Sequence, residues 1–411
     1  MIEANAQAFL KTLKMHPSDY DLSEMTAGFL SSMRKGLEGD SDIPMLDTGL
    51  RVPKCSLQLG NTAIIDAGGT WLRTALVANG VVQEQRCIPM PRDVPWAVFI
   101  NTVAEQVLPF ARHARRVGFC FAYPMERQTD GGKVLRLSKE IGIQGAEGHY
   151  PAAELTALLV RCGCVPEAVK AVNDATAVLL EGIRQLPEQY DGCVSLLCGS
   201  GMNSACVLRR ESGVQYMVNC ESGGYAGLKQ GTLDDQLDLS CRDRGTAFAE
   251  KMTAGAYLPE LWHRVLCAAG AAGLLSKQST QRLWSCPKFS GAEMDVFCRE
   301  PGGDNRPAHQ MEHEHDAWFA RELAVCLLLR AAKILCANVT AMLQLTEQGR
   351  YKKYPAAVVR QGAMLEQNSI LPQLLDQFFQ TFTERHCGIY TASTTIEQAV
   401  WKGTAAAAWA E

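Results

Sequence analysis

Twice in this chain a short glycine turn separates two apolar runs, and any fold must accommodate both. The first instance reads Ile64-Ile65-Asp66-Ala67-Gly68-Gly69-Thr70 and continues past Arg73 into Thr74-Ala75-Leu76-Val77. The second reads Ser195-Leu196-Leu197-Cys198-Gly199-Ser200-Gly201-Met202-Asn203 and continues into Ala205-Cys206-Val207. Each predicts strand, turn, strand: a β-hairpin whose turn exposes backbone N–H groups to an anion. A P-loop would read GxxxxGK[ST] and open a helix, and neither turn has that spacing. Two such turns predict two similar half-structures gripping one nucleotide from opposite sides.

Length and charge agree with two halves. A chain of 411 residues exceeds what one core organises and suits two domains. A net charge of −4 argues against nucleic acid or an acidic membrane as the main partner. The start, Met1-Ile2-Glu3-Ala4-Asn5, lacks the basic and apolar regions of a signal peptide, so a reducing, cytoplasmic setting is expected. The 16 cysteines then read mostly as small apolar core residues, since no pair has CxxC spacing and Cys162-Gly-Cys164 alone is no zinc site. The most apolar long stretch, 318–345, carries Arg321, Glu322, Arg330 and Lys333, and reads as a buried helix rather than a membrane span. His309, His313 and His315 fall in a polar stretch, 301–316, which reads as a solvated loop rather than a metal site.

Periodicity predicts an amphipathic helix over 24–37, with Met25, Phe29, Met33 and Leu37 on one face. Further helices are expected at 94–112, 154–162 and 175–183, then within 246–275, at 318–345 and at 403–411. Strands are expected at 116–121, at 168–172 and, last, at 356–359. Hairpin, helix and strand followed by a second hairpin is a weak duplication, consistent with two related α/β domains.

These residues, in this order, resemble the hexokinases of the hexokinase–glucokinase type. Asp66-Ala67-Gly68-Gly69-Thr70-x-x-Arg73 resembles that family's DLGGTNFR, and Val172-Asn173-Asp174 its VND. Phe119-Cys120-Phe121-Ala122-Tyr123-Pro124, with Gln128-Thr129, Gly132 and Ser138-Lys139, is similar to its FSFP…Q…G…TK segment. Gly199-Ser200-Gly201-x-Asn203 resembles GTGTN, and Asn219-Cys220-Glu221-Ser222-Gly223 resembles NTEWG. The stretch from Arg244 through Glu250-Lys251 to Leu258 is similar to the family's NPG…EK…G…Y helix. The resemblance implies an α/β fold of two RNase H-like domains, of the actin-like ATPase kind, with a cleft between them. It places 61–172 plus 402–411 in the smaller domain and 1–60 plus 173–401 in the larger.

The implied reaction is ATP-dependent phosphorylation of a hexose, glucose first among candidates, at its 6-hydroxyl. Phosphoryl transfer needs positioning, charge neutralisation and an acceptor for the hydroxyl proton. Asp174 is the candidate base, although an Asp at a helix start also reads as a cap. Asn173, Asn203, Glu221 and Glu250 are the expected sugar clamp, with Ser138 and Lys139 closing from the other domain. Amides and carboxylates suit the task because each can bond adjacent ring hydroxyls. The plainer readings are a turn residue for Asn203 and the exposed half of a Glu–Lys helix pair for Glu250. Lys139 would also offer charge to the transferring phosphoryl group.

Gly68, Gly69 and Thr70 on one side and Gly199, Ser200 and Gly201 on the other would cradle ATP. Asp66 would hold Mg²⁺ directly or through water, and Arg73 is structural or phosphate-steering. Gly362, Gly403 and Thr404 are expected to line the adenosine pocket. Hexose and ATP are thus the expected partners, with no nucleic acid and no membrane. Departures from the pattern include Ala122 for the Ser of FSFP, Ser222 for the Trp of NTEWG and Arg244 for the Pro of NPG, so other sugars or a non-catalytic sugar sensor stay open.

Overall fold

The computed structural model describes residues 2–52, 59–128, 131–135, 142–186 and 189–410. The expected Ser138 and Lys139, with Thr129, lie outside the described residues. The first strands are β1 (Leu46–Arg51), β2 (Thr62–Ala67), β3 (Trp71–Ala78), β4 (Val81–Pro89) and β5 (Arg116–Phe121). A short ribbon, β6 (Met125–Gln128) and β7 (Gly131–Val134), leads to β8 (Ala168–Val172). Then come β9 (Cys193–Cys198), β10 (Met202–Arg209), β11 (Gln215–Asn219), β12 (Ala356–Gln361) and β13 (Thr391–Thr395).

The duplication is real at the level of topology. One sheet has the order β4-β3-β2-β5-β8, and the other runs β11-β10-β9-β12-β13 with β1 added at its edge. In both, an antiparallel three-strand meander continues into two parallel strands. One glycine turn links β2 to β3 and the other links β9 to β10, the equivalent pair of the second sheet. β2 and β9 are buried along their whole length, as apolar central strands should be.

The helix that follows each sheet packs onto the opposite one. Asp174–Gln185, after β8, lies against β9 and β10, and Ala399–Trp409, after β13, lies against β2, β5 and β8; the two helices also pack on each other. Their contact joins the halves beneath the turns. Separate hydrophobic cores fill each half, the larger one around Glu314–Thr346. That helix is long and apolar enough to cross a membrane, yet 83% of its apolar window is buried inside the protein. Its Arg330 is fully buried and forms a bidentate pair with Asp234 at 2.8 Å, which satisfies the charge.

Three expectations need correction. Leu37 ends the helix Leu22–Leu37 at 43% exposure, one turn beyond the core contact of Met25, Phe29 and Met33. Strand β13 was not foreseen, because Thr391-Ala-Ser-Thr-Thr395 is a polar edge strand without apolar alternation. The final helix begins at Ala399, so Gly403 and Thr404 sit inside it rather than at its start. The histidine segment is, as expected, largely exposed.

Candidate functional site

Both turns and the candidate base border one cavity of about 400 Å³. Asp66, Gly68, Gly69, Thr70 and Arg73 line it from the first hairpin, and Gly199, Ser200, Gly201 and Asn203 from the second. Asp174 and Gly362 complete the same wall. From the tips Gly69, Thr70, Gly199 and Ser200 a second cavity of about 750 Å³ leads toward Tyr257, Lys288, Asp295 and Asn368. Gly362 has φ +106°, and a Cβ there would fall 2.6 Å from the Cys198 carbonyl, so only glycine lets β12 end so close to the second turn.

Asp174 stands at the first position of its helix, half-buried at the carboxyl end of β8. The cap, however, is Asn173: its Oδ1 accepts the Ala175 N–H at 2.8 Å, and the Asp174 Oδ1 accepts the same N–H at 2.9 Å. Capping and cavity-facing roles therefore fall on adjacent residues.

Beside Asp174 a cluster of amides surrounds one carboxylate. Asn219 Nδ2 donates to Glu221 Oε1 at 2.7 Å, and Asn203 Nδ2 donates to Asn219 Oδ1 at 2.9 Å. Asn203 and Asn173 also reach Glu221 Oε1 at 3.4 and 3.5 Å. Glu221 holds the left-handed backbone with φ +55°. Such strain in a non-glycine residue persists where the surroundings over-determine it, which is characteristic of ligand sites. Asn219, which was not singled out from the sequence, joins the cluster through its bonds with Asn203 and Glu221 and stands in the same motif as Glu221.

Glu250 is 4% exposed, and its Oε2 accepts the Met202 N–H at 2.9 Å, tying the second hairpin to the helix Phe248–Lys251. It is not half of a solvent-facing pair: Lys251 is buried and binds Asp238 at 2.7 Å instead. Ser222, where the motif has Trp, is buried against Ser204 through a 2.9 Å hydroxyl contact.

Asp66 is 8% exposed, faces Arg73 across the hairpin at 3.6 Å, and accepts the Trp401 indole N–H at 3.1 Å. An anchored carboxylate oxygen at the cavity wall fits Mg²⁺, which is bound through one or two carboxylates together with substrate phosphates rather than by a protein cage. Tyr123, behind the first turn, places its hydroxyl 3.3 Å from the Gly68 carbonyl. Burial, reinforced by the Asp174 charge, pushes its phenol pKa well above the usual value, so it stays neutral.

Gly403 and Thr404 do not line either cavity described above. Both are fully buried: a Cβ on Gly403 would lie 1.9 Å from the Ala177 carbonyl, and Thr404 packs against Gly118 of β5. They let the last helix approach its neighbours, and the residue of that helix at the cavity is Val400. Of the three residues expected on the adenosine side, Gly362 borders the cavity shared by the two turns, whereas Gly403 and Thr404 are taken up by helix packing.

Comparison with known proteins places this arrangement. Two family models, each described as hexokinase, match residues 6–183 and 193–410. Hexokinase-1 of Nicotiana tabacum is 27% identical over 341 residues, covering 74% of this chain and 68% of the relative. Hexokinase-1 of Schizosaccharomyces pombe is 27% identical over 278 residues, covering 60% of this chain and 57% of its own length. In fold the chain resembles the glucose-complexed hexokinase of Schistosoma mansoni, with a TM-score of 0.81 at 19% identity over 99% of both chains. A ROK-family glucokinase from Streptomyces griseus, complexed with glucose and AMPPNP, shares the fold more distantly, with a TM-score of 0.53 over 85% of this chain and 98% of the other. With both family models matched along its length, and both glycine turns bordering one cavity, the chain belongs to the hexokinase family.

Proposed function

We propose that this protein transfers the γ-phosphoryl group of ATP to the 6-hydroxyl of a hexose, with glucose as the first substrate to test. The observation that carries this reading is the sharing of one cavity by Asp174 and both glycine turns, beside the Asn173–Asn203–Glu221 cluster. In the reaction Asp174 takes the proton of the 6-hydroxyl as that oxygen attacks phosphorus. Asn173, Asn203, Glu221 and Glu250 orient the sugar, with Ser138 and Lys139 assigned by motif to the opposite side. Backbone N–H groups of the two turns bind the phosphates, with Asp66 positioned to hold Mg²⁺. When bound, Mg²⁺ supplies charge neutralisation at the phosphates.

Units 61–172 plus 402–411 and 1–60 plus 173–401 close on the sugar and exclude water from the transfer. A coupled assay with ATP and a panel of glucose, fructose, mannose and amino sugars tests the reading, with product analysis to locate the phosphate. Turnover of glucose to the 6-phosphate supports it; preference for another sugar moves the specificity; sugar binding without turnover leaves a sensor.

A further inference from the structure

The loop between β4 and the helix Trp96–Ala111 carries Arg92 and Asp93, which no glycine motif singles out. Arg92 reaches back to the first turn, donating from Nη2 to the Gly69 carbonyl at 2.7 Å. Two residues earlier, the Met90 N–H donates to the Thr70 carbonyl at 3.0 Å. Both carbonyls at the turn tip are therefore held by residues 90–92. A trans peptide is planar, so fixing the Gly69 carbonyl also fixes the direction of the Thr70 N–H. Arg92 borders the 750 Å³ cavity together with Gly69, Thr70, Gly199 and Ser200. It is a permanent positive charge where the tips of both turns meet.

Asp93 ties the same loop to the other half of the molecule. It accepts a hydrogen bond from Arg242 at 2.7 Å, and Arg242 directly follows Ser240 and Cys241 on the cavity wall. The pair rests on bare backbone: a Cβ on Gly142 would lie 2.0 Å from Arg242 Nη1 and 2.3 Å from Asp93 Oδ1. The dipeptide thus grips the first turn with one side chain and the opposite half with the next.

We propose that Arg92 is a positioning residue for the nucleotide phosphates. It sets the first turn with its N–H groups toward the anion and adds a charge beside them, while the Asp93–Arg242 pair keeps its loop against the other half. This rests on the ATP-dependent reading above. The test compares wild type with Arg92→Gln, Arg92→Lys and Arg242→Gln, measuring KM for ATP and for hexose separately and AMPPNP binding by calorimetry.

Arg92→Gln is expected to raise KM for ATP and Kd for AMPPNP about tenfold, the scale of one charge-assisted hydrogen bond. KM for hexose should stay within about twofold, well below that contribution. Arg92→Lys, with charge but no planar fork, should recover part of the loss. Arg242→Gln should raise the nucleotide constants by roughly twofold at low salt and leave them unchanged at high salt, because an exposed pair is screened.

Wild-type nucleotide constants in Arg92→Gln overturn the proposal. So does a loss shared equally by ATP and hexose with a lowered Tm, which marks a purely structural role. If wild type phosphorylates no hexose, the kinase reading fails and calorimetry alone decides: AMPPNP binding weakened by Arg92→Gln supports the role, and no wild-type binding overturns it.

Discussion

Replacing Asp174 by Asn separates chemistry from folding at the residue where the two roles were hardest to tell apart. The helix cap is supplied by Asn173, whose Oδ1 holds the Ala175 N–H at 2.8 Å. The amide keeps an oxygen for the bond that Asp174 makes to the same N–H, so the local geometry survives. What disappears is a negative charge at the first helical position, worth about 0.3–1 kcal/mol with the helix dipole. For 411 residues, an unfolding entropy of about 2.1 cal/mol/K per residue makes 1 kcal/mol roughly 1 °C in Tm. The expected Tm change is therefore about 1 °C or less.

Turnover should respond on another scale. Loss of the proton acceptor is expected to lower kcat by about 10²–10⁴, or roughly 3–5 kcal/mol of transition-state stabilisation. KM for the sugar should change little, since Asn173, Asn203, Glu221 and Glu250 are unaltered. The assay pairs a coupled kinase measurement at saturating ATP and hexose with a thermal melt. Asn173→Ala is the control, expected to cost about 0.5–2 kcal/mol of stability through the lost cap. Near-wild-type kcat in Asp174→Asn would falsify the base assignment, and a Tm loss matching that of Asn173→Ala would show that the charge at the helix start stabilises the fold more than the dipole argument allows.

Gly403→Ala should destabilise the fold by at least about 2 kcal/mol, because the new methyl meets a backbone carbonyl that cannot step aside; denaturant unfolding measures it, and unchanged stability with a raised KM for ATP would return this glycine to the nucleotide site. Cys198 and Cys220 are fully buried, and burial drives the Cys198 thiol well above its ordinary pKa, so alkylation of the native protein should spare both. Among the described residues, exposed Cys87 and Cys162 should react first, without loss of activity, as peptide mapping with a parallel kinase assay would record. Arg306 beside Glu293 pulls that carboxyl down from 4.5 to about 2, through bonds that include one of 2.7 Å. A depressed folded pKa contributes stability above the unfolded value and loses it as pH falls toward about 2, so Glu293→Gln should flatten the decline in Tm over that window; parallel curves for mutant and wild type would remove the pair from the acid response.

The two glycine turns, the strands around them and Asp174 at a strand-to-helix junction were legible in the linear chain because each is a local event. A hairpin needs a turn residue between two apolar runs, and a buried helix needs continuous hydrophobicity; both conditions are met within a dozen residues or so. Order along the chain also carried the family and, with it, the grouping of Asn173, Asn203 and Glu221, which hydrogen bonds bring together. Strand β13 escaped because its residues are polar and its place beside β12 depends on pairing rather than on its own pattern.

Tertiary packing alone decided the rest. Gly403 and Thr404 look alike in sequence whether they face a nucleotide or a neighbouring helix, and only the approach of Ala177 and Gly118 assigns them to packing. Glu250 looks like a surface residue until Met202, 48 positions away, donates to it. Arg92 and Asp93 have no motif, and they matter only because Gly69 and Arg242 arrive on either side of them. Short-range patterns specify elements through backbone sterics and periodic burial. Long-range neighbours decide what each exposed or buried polar atom must satisfy, and no window of sequence contains both partners.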